Sequence, residues 1–464
     1  MSHFLISAAH KSSGKTTISL GLCAALKARN LKVRPFKKGP DYIDPMWLGK
    51  AAGQSCHNLD FNTMDADEIR QTFHRYSAGN DISIIEGNKG LYDGLDLEGS
   101  NSNAALALLL NAPVVLVIDA RGMTRGIAPL ILGYQAFETR LNIAGVILNQ
   151  LGGSRHESKL RAVIDHYTNV PVIGAVHHDQ ELQILERHLG LIPSNEMEQA
   201  QQRIDLVGNR IAEQVDLDRL IDLAGKATPP SVAKSDIVAS PPFKVQPPCR
   251  IGIAKDAAFG FYYPGDLEVF EQAGAELVYF DTLHDDALPD IDGLFIGGGF
   301  PETQIPALEN NRSMRQSVRN AIDEGLPVYA ECGGLMYLTR SIHWNNQHGA
   351  MVGAIPADTV MHHKPQGRGY VIIEETDDHP WPAAAEKPQR PTTIPAHEFH
   401  YSSLQNCGQV KYAYRIRRGT GIDGQHDGIV YKNVLGCYAH LRDVKSHHWV
   451  SRFLQFVQQR QSAH

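Results

Sequence analysis

An apolar run, Phe4–Ala8, leads straight into the loop Ala9-His10-Lys11-Ser12-Ser13-Gly14-Lys15-Thr16-Thr17, and the loop opens onto an amphipathic stretch, Lys15–Arg29. A strand, a tight small-residue loop and a helix in that order commit the chain to a parallel sheet, because the helix carries it back past the strand it has just left. The loop chemistry narrows the reading further. Glycine and small residues let backbone N–H groups approach a phosphate, a lysine reaches the β- and γ-phosphates, and a hydroxyl serves Mg²⁺. Gly14, Lys15, Thr16 and Thr17 fill these places, with Ala9 where such loops usually begin with glycine. A helix opening at Lys15 adds the positive end of its dipole. ATP and Mg²⁺ are the ligands to expect.

The same strand–helix alternation continues on both sides of a break. Strands are expected at Leu31–Phe36, Asp81–Glu86, Val114–Asp119, Ala144–Asn149 and Val172–Val176, with a helix at Ile127–Thr139. Between Lys226 and Cys249 the chain carries six of its 25 prolines and no helical or strand period, which reads as an extended linker. The pattern then restarts. Strands are expected at Arg250–Ala254, Leu277–Phe280, Gly293–Ile296 and Pro327–Ala330, and helices at Gly265–Ala273, Met314–Glu324, Gly334–Arg340 and His447–Gln459. The stretch Val352–Tyr438 is rich in strand-like runs and turn residues. The reading is α/β throughout: one domain over residues 1–225, the linker over 226–249 and a second domain over 250–464.

Carboxylates gather at the predicted strand ends of the first domain. Phe36-Lys37-Lys38-Gly39-Pro40-Asp41-Tyr42-Ile43-Asp44-Pro45 places Asp41 and Asp44 in a turn, and Glu86 ends a strand before Gly87-Asn88-Lys89-Gly90-Leu91-Tyr92-Asp93-Gly94. In a doubly wound sheet the ligand crevice lies beyond the carboxyl ends of the strands. Asp41, Asp44, Glu86 and Asp93 are therefore expected near the phosphate loop, with Asp119 a weaker fifth candidate. Singly, each is an ordinary turn residue; together, beside a triphosphate, they read as direct or water-mediated partners of Mg²⁺.

A second sharp turn stands in the other domain. Leu326–Ala330 is a strand, Gly333-Gly334 begins a helix, and Glu331-Cys332 lies between. Glycines at a strand-to-helix reversal expose a side chain at the apex, which makes Cys332 the candidate nucleophile. A thiol nucleophile needs a base. Among 22 histidines, His440, after the apolar run ending at Tyr438, is the candidate. Gly298 and Gly299, at the end of another strand, offer backbone N–H groups for an oxyanion hole.

Composition excludes several classes. A net charge of −7 without a Lys/Arg block argues against nucleic-acid binding. Met1–Ala8 lacks a basic leader, and the longest apolar stretch, Ala104–Ile118, is broken by Asn111 and Pro113, so neither a signal peptide nor a membrane span is expected. Six cysteines without CxxC or zinc spacing suit a cytoplasmic protein with reduced thiols.

The motifs together resemble the cobyrinate and cobyrate amidotransferases, in which a dethiobiotin-synthetase-like amidoligase is fused to a class I, flavodoxin-like glutamine amidotransferase. The matching segments are the phosphate loop, Phe36–Pro45, Ile85–Gly94, Gly297–Glu302, Ala330–Leu338 and His397–Ser402. The resemblance implies a glutamyl thioester on Cys332 with His440 as its base. Lys15 and Thr16 would bind ATP and Mg²⁺, and Thr16, Asp41 and Glu86 would serve the metal. Asp44 and Asp93 would serve substrate or intermediate. It also implies amidation of the a and c acetates of cobyrinate through acyl phosphates, with glutamine, ATP and a tetrapyrrole as partners and a homodimer among the expected assemblies. Leu48 and His57 depart from the family pattern in a stretch expected to face the tetrapyrrole. Arg442 stands where these amidotransferases usually carry an acid, leaving a Cys–His dyad or a borrowed acid such as Glu398. Two alternatives remain open: the same chemistry on nickel-sirohydrochlorin or sirohaem, and a partition-type P-loop switch ATPase.

Overall fold

The β-branched runs of the first half pair as their spacing predicts. A computed structural model describes residues 1–182, 186–187, 190–196, 199–230, 243–382 and 393–462 and divides into two units, Met1–Val238 and Ala239–His464. The first unit holds seven parallel strands: β1 (Ser2–Ala8), β2 (Val33–Lys38), β3 (His57–Leu59), β4 (Ile82–Glu86), β5 (Val114–Asp119), β6 (Ile143–Leu151) and β7 (Val172–His177). Their order is β3-β2-β4-β1-β5-β6-β7. From β1 the chain passes to β2 on one side of the sheet and later to β5 on the other, and a reversal of this kind opens a crevice beyond the strand ends. The phosphate loop emerges from β1 at that place. A short pair, β8 (Glu186–Arg187) and β9 (Gly190–Leu191), follows the sheet.

One strand differs from its predicted span in an informative way. Expected over Leu31–Phe36, β2 runs on through Lys37 and Lys38, which are buried. Lysine in a core is improbable unless paired, so the sequence pattern stops at Phe36. Carboxylates around Lys37 and the Asn88 side-chain oxygen, which accepts from Lys38 Nζ at 3.0 Å, make the extension stable.

The helix that follows the phosphate loop, Lys15–Ala28, is seated by a second helix, Ala200–Gln214. Ile18, Leu22 and Leu26 share a core with Ile204, Val207 and Ile211. The backbones approach closely because glycines face each other's helix: a Cβ on Gly21 would stand 2.2 Å from Ile211 Cγ1, and one on Gly208 would stand 2.7 Å from Ala24 Cβ.

The second unit contributes β10 (Arg250–Ala254), β11 (Phe259–Phe261), β12 (Glu276–Phe280), β13 (Gly293–Ile296), β14 (Gly298–Gly299) and β15 (Val328–Glu331). Then come β16 (Ser341–Trp344), β17 (Gln347–Ala350), β18 (Asp358–Met361), β19 (Gly367–Glu375), β20 (Thr393–His400), β21 (Ser402–Gln405), β22 (Lys411–Arg418), β23 (His426–Tyr431) and β24 (Val434–Cys437). Nine of them form one sheet, β12-β10-β13-β15-β24-β23-β22-β19-β20. The half from β12 to β24 is parallel and follows the flavodoxin-like strand order. The half from β24 to β20 is antiparallel. Smaller sheets, β17-β16-β18-β21 and β11-β14, complete the unit. Trp449, on the closing helix Trp449–Gln461, is fully buried against Phe270, Phe295 and Tyr329.

Of the stretch read as a linker, residues 231–242 lie outside the described residues. Its last residues are packed: Val245 N–H donates to the Ala273 carbonyl, and Val245 and Cys249 belong to the second core.

The glycine contact between the two helices yields a prediction. Gly21→Val should force them apart and destabilise the first unit by about 1–3 kcal/mol, as overpacking does. Thermal unfolding of the full chain should show an earlier first transition with the second unit's transition unmoved.

Candidate functional site

The phosphate loop is held in shape by side chains from other strands. Gly14 has φ 84°, a left-handed conformation, and a Cβ there would lie 2.2 Å from Asn149 Nδ2. That amide, from the end of β6, donates to the Ser13 carbonyl at 2.9 Å. Tyr134 O–H donates to the Ala9 carbonyl at 2.5 Å. Sequence reasoning assigned no role to Asn149 or Tyr134; their support of the loop depends on strand order, which neither residue announces.

Below the loop lies a buried charge cluster centred on Lys37. Its ammonium pairs with Asp44, with Glu86 at 3.1 Å and with Asp41 at 3.6 Å. Thr16 O–H donates to Glu86 Oε1 at 2.7 Å. Burial opposes the charge on Lys37, but the carboxylates outweigh it and hold its pKa well above the ordinary value. Burial raises the pKa of Glu86 in spite of Lys37. β2 and β4 pair in parallel with Lys37 opposite Glu86, so adjacent strand ends deliver both groups. Lys37 was missed in the sequence because it reads as a solvated charge at the edge of an apolar run.

Three of the predicted acids, Asp41, Asp44 and Glu86, thus meet around Lys37 and Thr16. Asp93 does not join them; its carboxylate accepts from Gly90 N–H at 2.9 Å and closes its own turn. Asp119 is engaged by the Arg121 guanidinium. Among the described residues no three His, Cys, Asp or Glu side chains form a closed metal cage. Mg²⁺ does not require one, since it is ordinarily held by one or two carboxylates with phosphates and water. The donors fit that pattern: Glu86 Oε2 is buried without a hydrogen-bond partner beside the Thr16 hydroxyl.

Leu48 and His57 are both buried, contrary to the expectation that they face a ligand. Leu48 belongs to the first unit's hydrophobic core, and His57 stacks on Tyr76 with ring centroids 3.5 Å apart.

In the second unit Cys332 occupies the strand-to-helix reversal with φ 46° and ψ −100°, a strained conformation for a non-glycine residue. Its N–H donates to the Cys437 carbonyl at 2.7 Å, tying the reversal to β24. Gly333 and Gly334 permit the turn: a Cβ on Gly334 would stand 2.2 Å from the Ile296 carbonyl oxygen. Gly298 packs on the His440 ring, 2.8 Å from its absent Cβ to Cε1, and Gly299 N lies 2.9 Å from the absent Cβ of Gly333. The two candidate oxyanion residues thus adjoin His440 and Gly333, on either side of the thiol site. They also form β14, paired with β11.

The Cys332 thiol favours the charged form of His440. Its Nδ1 lies 3.1 Å from Glu331 Oε2. Burial disfavours the imidazolium, but the interactions with Cys332 and Glu331 prevail and push the His440 pKa up to about 10. Glu398, the acid considered for this place, is committed elsewhere. It accepts from the N–H groups of Thr420 and Gly421 at 2.7 and 2.8 Å. Arg442 lies over the Tyr263 ring at 5.0 Å. Glu331 escaped sequence reasoning because attention to the thiol fell on the glycines after it, and a buried Glu beside a nucleophile has no distinctive spacing.

Two predictions follow from this geometry. Gly14→Ala should weaken ATP binding by roughly 10-fold or more, since a left-handed alanine costs about 1–2 kcal/mol before the collision with Asn149; isothermal titration against wild type reads it. For His440, the folded pKa exceeds the unfolded one, so its stabilisation is complete below about pH 6.5 and is lost as pH rises through about 10. The stability deficit of His440→Gln against wild type should therefore shrink across that window in urea denaturation.

Comparison with known proteins agrees with both halves. Residues 250–445 match the family described as CobB/CobQ-like glutamine amidotransferase domain, and residues 2–184 match one described as AAA domain. A cobyrinate a,c-diamide synthase from Magnetococcus marinus is 44% identical over 98% of this chain and 97% of its own. Those of Methanosarcina acetivorans and Dehalococcoides mccartyi are 42% and 40% identical, over 95% and 94% of this chain and 92% and 94% of theirs. With both units matched almost end to end, the chain belongs to the cobyrinate a,c-diamide synthase family.

Proposed function

We propose that this protein uses ATP and glutamine to amidate the a and c acetate carboxylates of cobyrinate. The observation that carries the reading is the unbroken similarity to relatives named for that activity, across both the phosphate loop and the thiol site.

The chemistry divides between the two units. In the second, the Cys332 sulfur attacks the side-chain carbonyl carbon of glutamine, and the developing oxyanion faces the glycine backbone of Gly298 and Gly299. The imidazolium of His440 gives its proton to the departing nitrogen, releasing ammonia and leaving a glutamyl thioester. Water, deprotonated by His440, then cleaves the thioester to glutamate and restores the thiol. In the first unit a substrate carboxylate oxygen attacks the γ-phosphorus of ATP and ADP departs, giving an acyl phosphate. Ammonia attacks its acyl carbon and inorganic phosphate leaves, forming the amide. Each amide uses one glutamine and one ATP, so the two acetates require two rounds.

Backbone N–H groups of the phosphate loop and Lys15 would hold the triphosphate. Thr16, Glu86 and Asp41 are the residues that would hold Mg²⁺, which when bound neutralises charge on the transferring phosphoryl group. Asp44 would position Lys37 toward substrate or intermediate. Asp93, fixed in its own turn, would act through the loop it closes. Among the described residues no helix is long and apolar enough to cross a membrane; a cytoplasmic location is the one we expect. A homodimer is the assembly we expect.

The test is a mass-spectrometric product assay with glutamine and Mg·ATP on cobyrinate, hydrogenobyrinate, nickel-sirohydrochlorin and sirohaem. Two additions of −1 Da each on cobyrinate support the proposal; amidation confined to a sirohydrochlorin-type ring overturns the substrate. Cys332→Ala should abolish glutamine-dependent amidation and leave the ammonia-dependent reaction. Asp41→Asn should lower synthetase turnover roughly 10-fold or more while sparing glutamine hydrolysis, as loss of a metal contact on the transferring phosphoryl group would. Loss of both activities together would remove the role given to Asp41.

A further inference from the structure

We infer that Glu331, the residue immediately before the nucleophile, is the acid that orients His440. The inference rests on the glutaminase reading of this unit and assigns the place that Arg442 leaves vacant in sequence.

The geometry is closed on every side. Glu331 ends β15, and its side chain is buried. Oε2 faces His440 Nδ1 at 3.1 Å. Oε1 accepts from Tyr329 O–H at 2.6 Å and from Leu441 N–H at 2.9 Å. Tyr329 is two residues earlier on the same strand and so shares a face with Glu331. Leu441 follows the histidine itself, so one carboxylate holds both the ring of His440 and the main chain beyond it. The main chain before the ring is held separately: buried Asp427 accepts from the N–H groups of Tyr438 and Ala439 at 3.0 and 2.8 Å.

This arrangement does for His440 what a third member does in a nucleophile–histidine–acid set. With Nδ1 donating to Glu331, the ring is fixed in one tautomer and Nε2 is left for the thiol. The carboxylate also favours the imidazolium that must accompany a thiolate. Strand geometry makes the placement natural. The reversal at Cys332 turns the sulfur out of the strand, while Glu331, one residue back, still points as a strand residue points. The nucleophile and its base's acid are therefore consecutive, an arrangement distinct from an acid two residues after the histidine. Glu331 is a positioning residue, since it touches His440 and not the substrate.

A purely structural carboxylate would hold Leu441 and Tyr329 without tuning the ring, and two measurements separate the roles. Full-length enzyme, Glu331→Gln and Glu331→Asp are compared for glutamine hydrolysis and for the rate of Cys332 alkylation by iodoacetamide between pH 5 and 10, with melting curves alongside. Gln keeps the size but loses the charge and presents a donor to Nδ1. It should cut kcat by up to roughly 10⁴-fold, the loss when a triad histidine's acid becomes its amide, with KM for glutamine nearly constant. The alkylation profile should move to higher pH by about one unit or more. Asp keeps the charge and should retain a profile close to wild type, which also serves if the Gln variant does not fold. Profiles that coincide for wild type and Gln, or that move equally for Gln and Asp, overturn the assignment. A wild type that hydrolyses no glutamine would instead overturn the glutaminase reading, and the alkylation profiles would still decide the contact between Glu331 and His440.

Discussion

The thiol site depends on the parallel pairing of β15 with β24. That register sets Ala330 opposite Gly436 and Glu331 opposite Cys437, so the two strands end together and everything reactive leaves from their tips. Cys332 emerges from one and His440 from the loop that continues the other. Segments more than a hundred residues apart in sequence meet because two short apolar strands lie side by side. Close packing then limits what can surround them. Glycine at 333 and 334 admits neighbouring backbone, and glycine at 298 admits the His440 ring, where any side chain would collide.

The first unit applies the same principle with a different payload. The middle strand releases the phosphate loop, β2 and β4 deliver Lys37 and Glu86, and β6 delivers Asn149. Each functional group sits at a carboxyl end because only there does a parallel sheet expose several strands' termini to one volume. The helix after the loop is seated against the helix Ala200–Gln214 by glycine contacts, which fixes the origin of the loop itself.

The local rules of sequence reading carried a long way for particular elements. Val114–Asp119, Arg250–Ala254 and Gly293–Ile296 begin and end where their β-branched runs do. Lys15 and Cys332 were legible because turn chemistry marks them: small residues before one, paired glycines after the other. What stayed hidden required knowledge of neighbours. Lys37 and Lys38 look like a strand's polar end until Asp44 and Glu86 are seen to surround Lys37. Glu331 looks like a surface carboxylate until the loop after β24 supplies Leu441 and His440. Leu48 and His57 stood in sequence near a motif expected to face a ligand, but Leu48 lies on the buried face of its helix and His57 in a strand buried at all three residues.

The cluster around Lys37 has a consequence for how this enzyme can change over generations. A buried ammonium enclosed by Asp41, Asp44 and Glu86 is stable only as a set, since removing one member strands a charge in a medium that solvates it poorly. Single replacements there disturb every other member, and their effects will not add. Divergence at these positions is therefore expected to proceed by compensated pairs or to stall, which makes this small volume slower to drift than the strands that carry it.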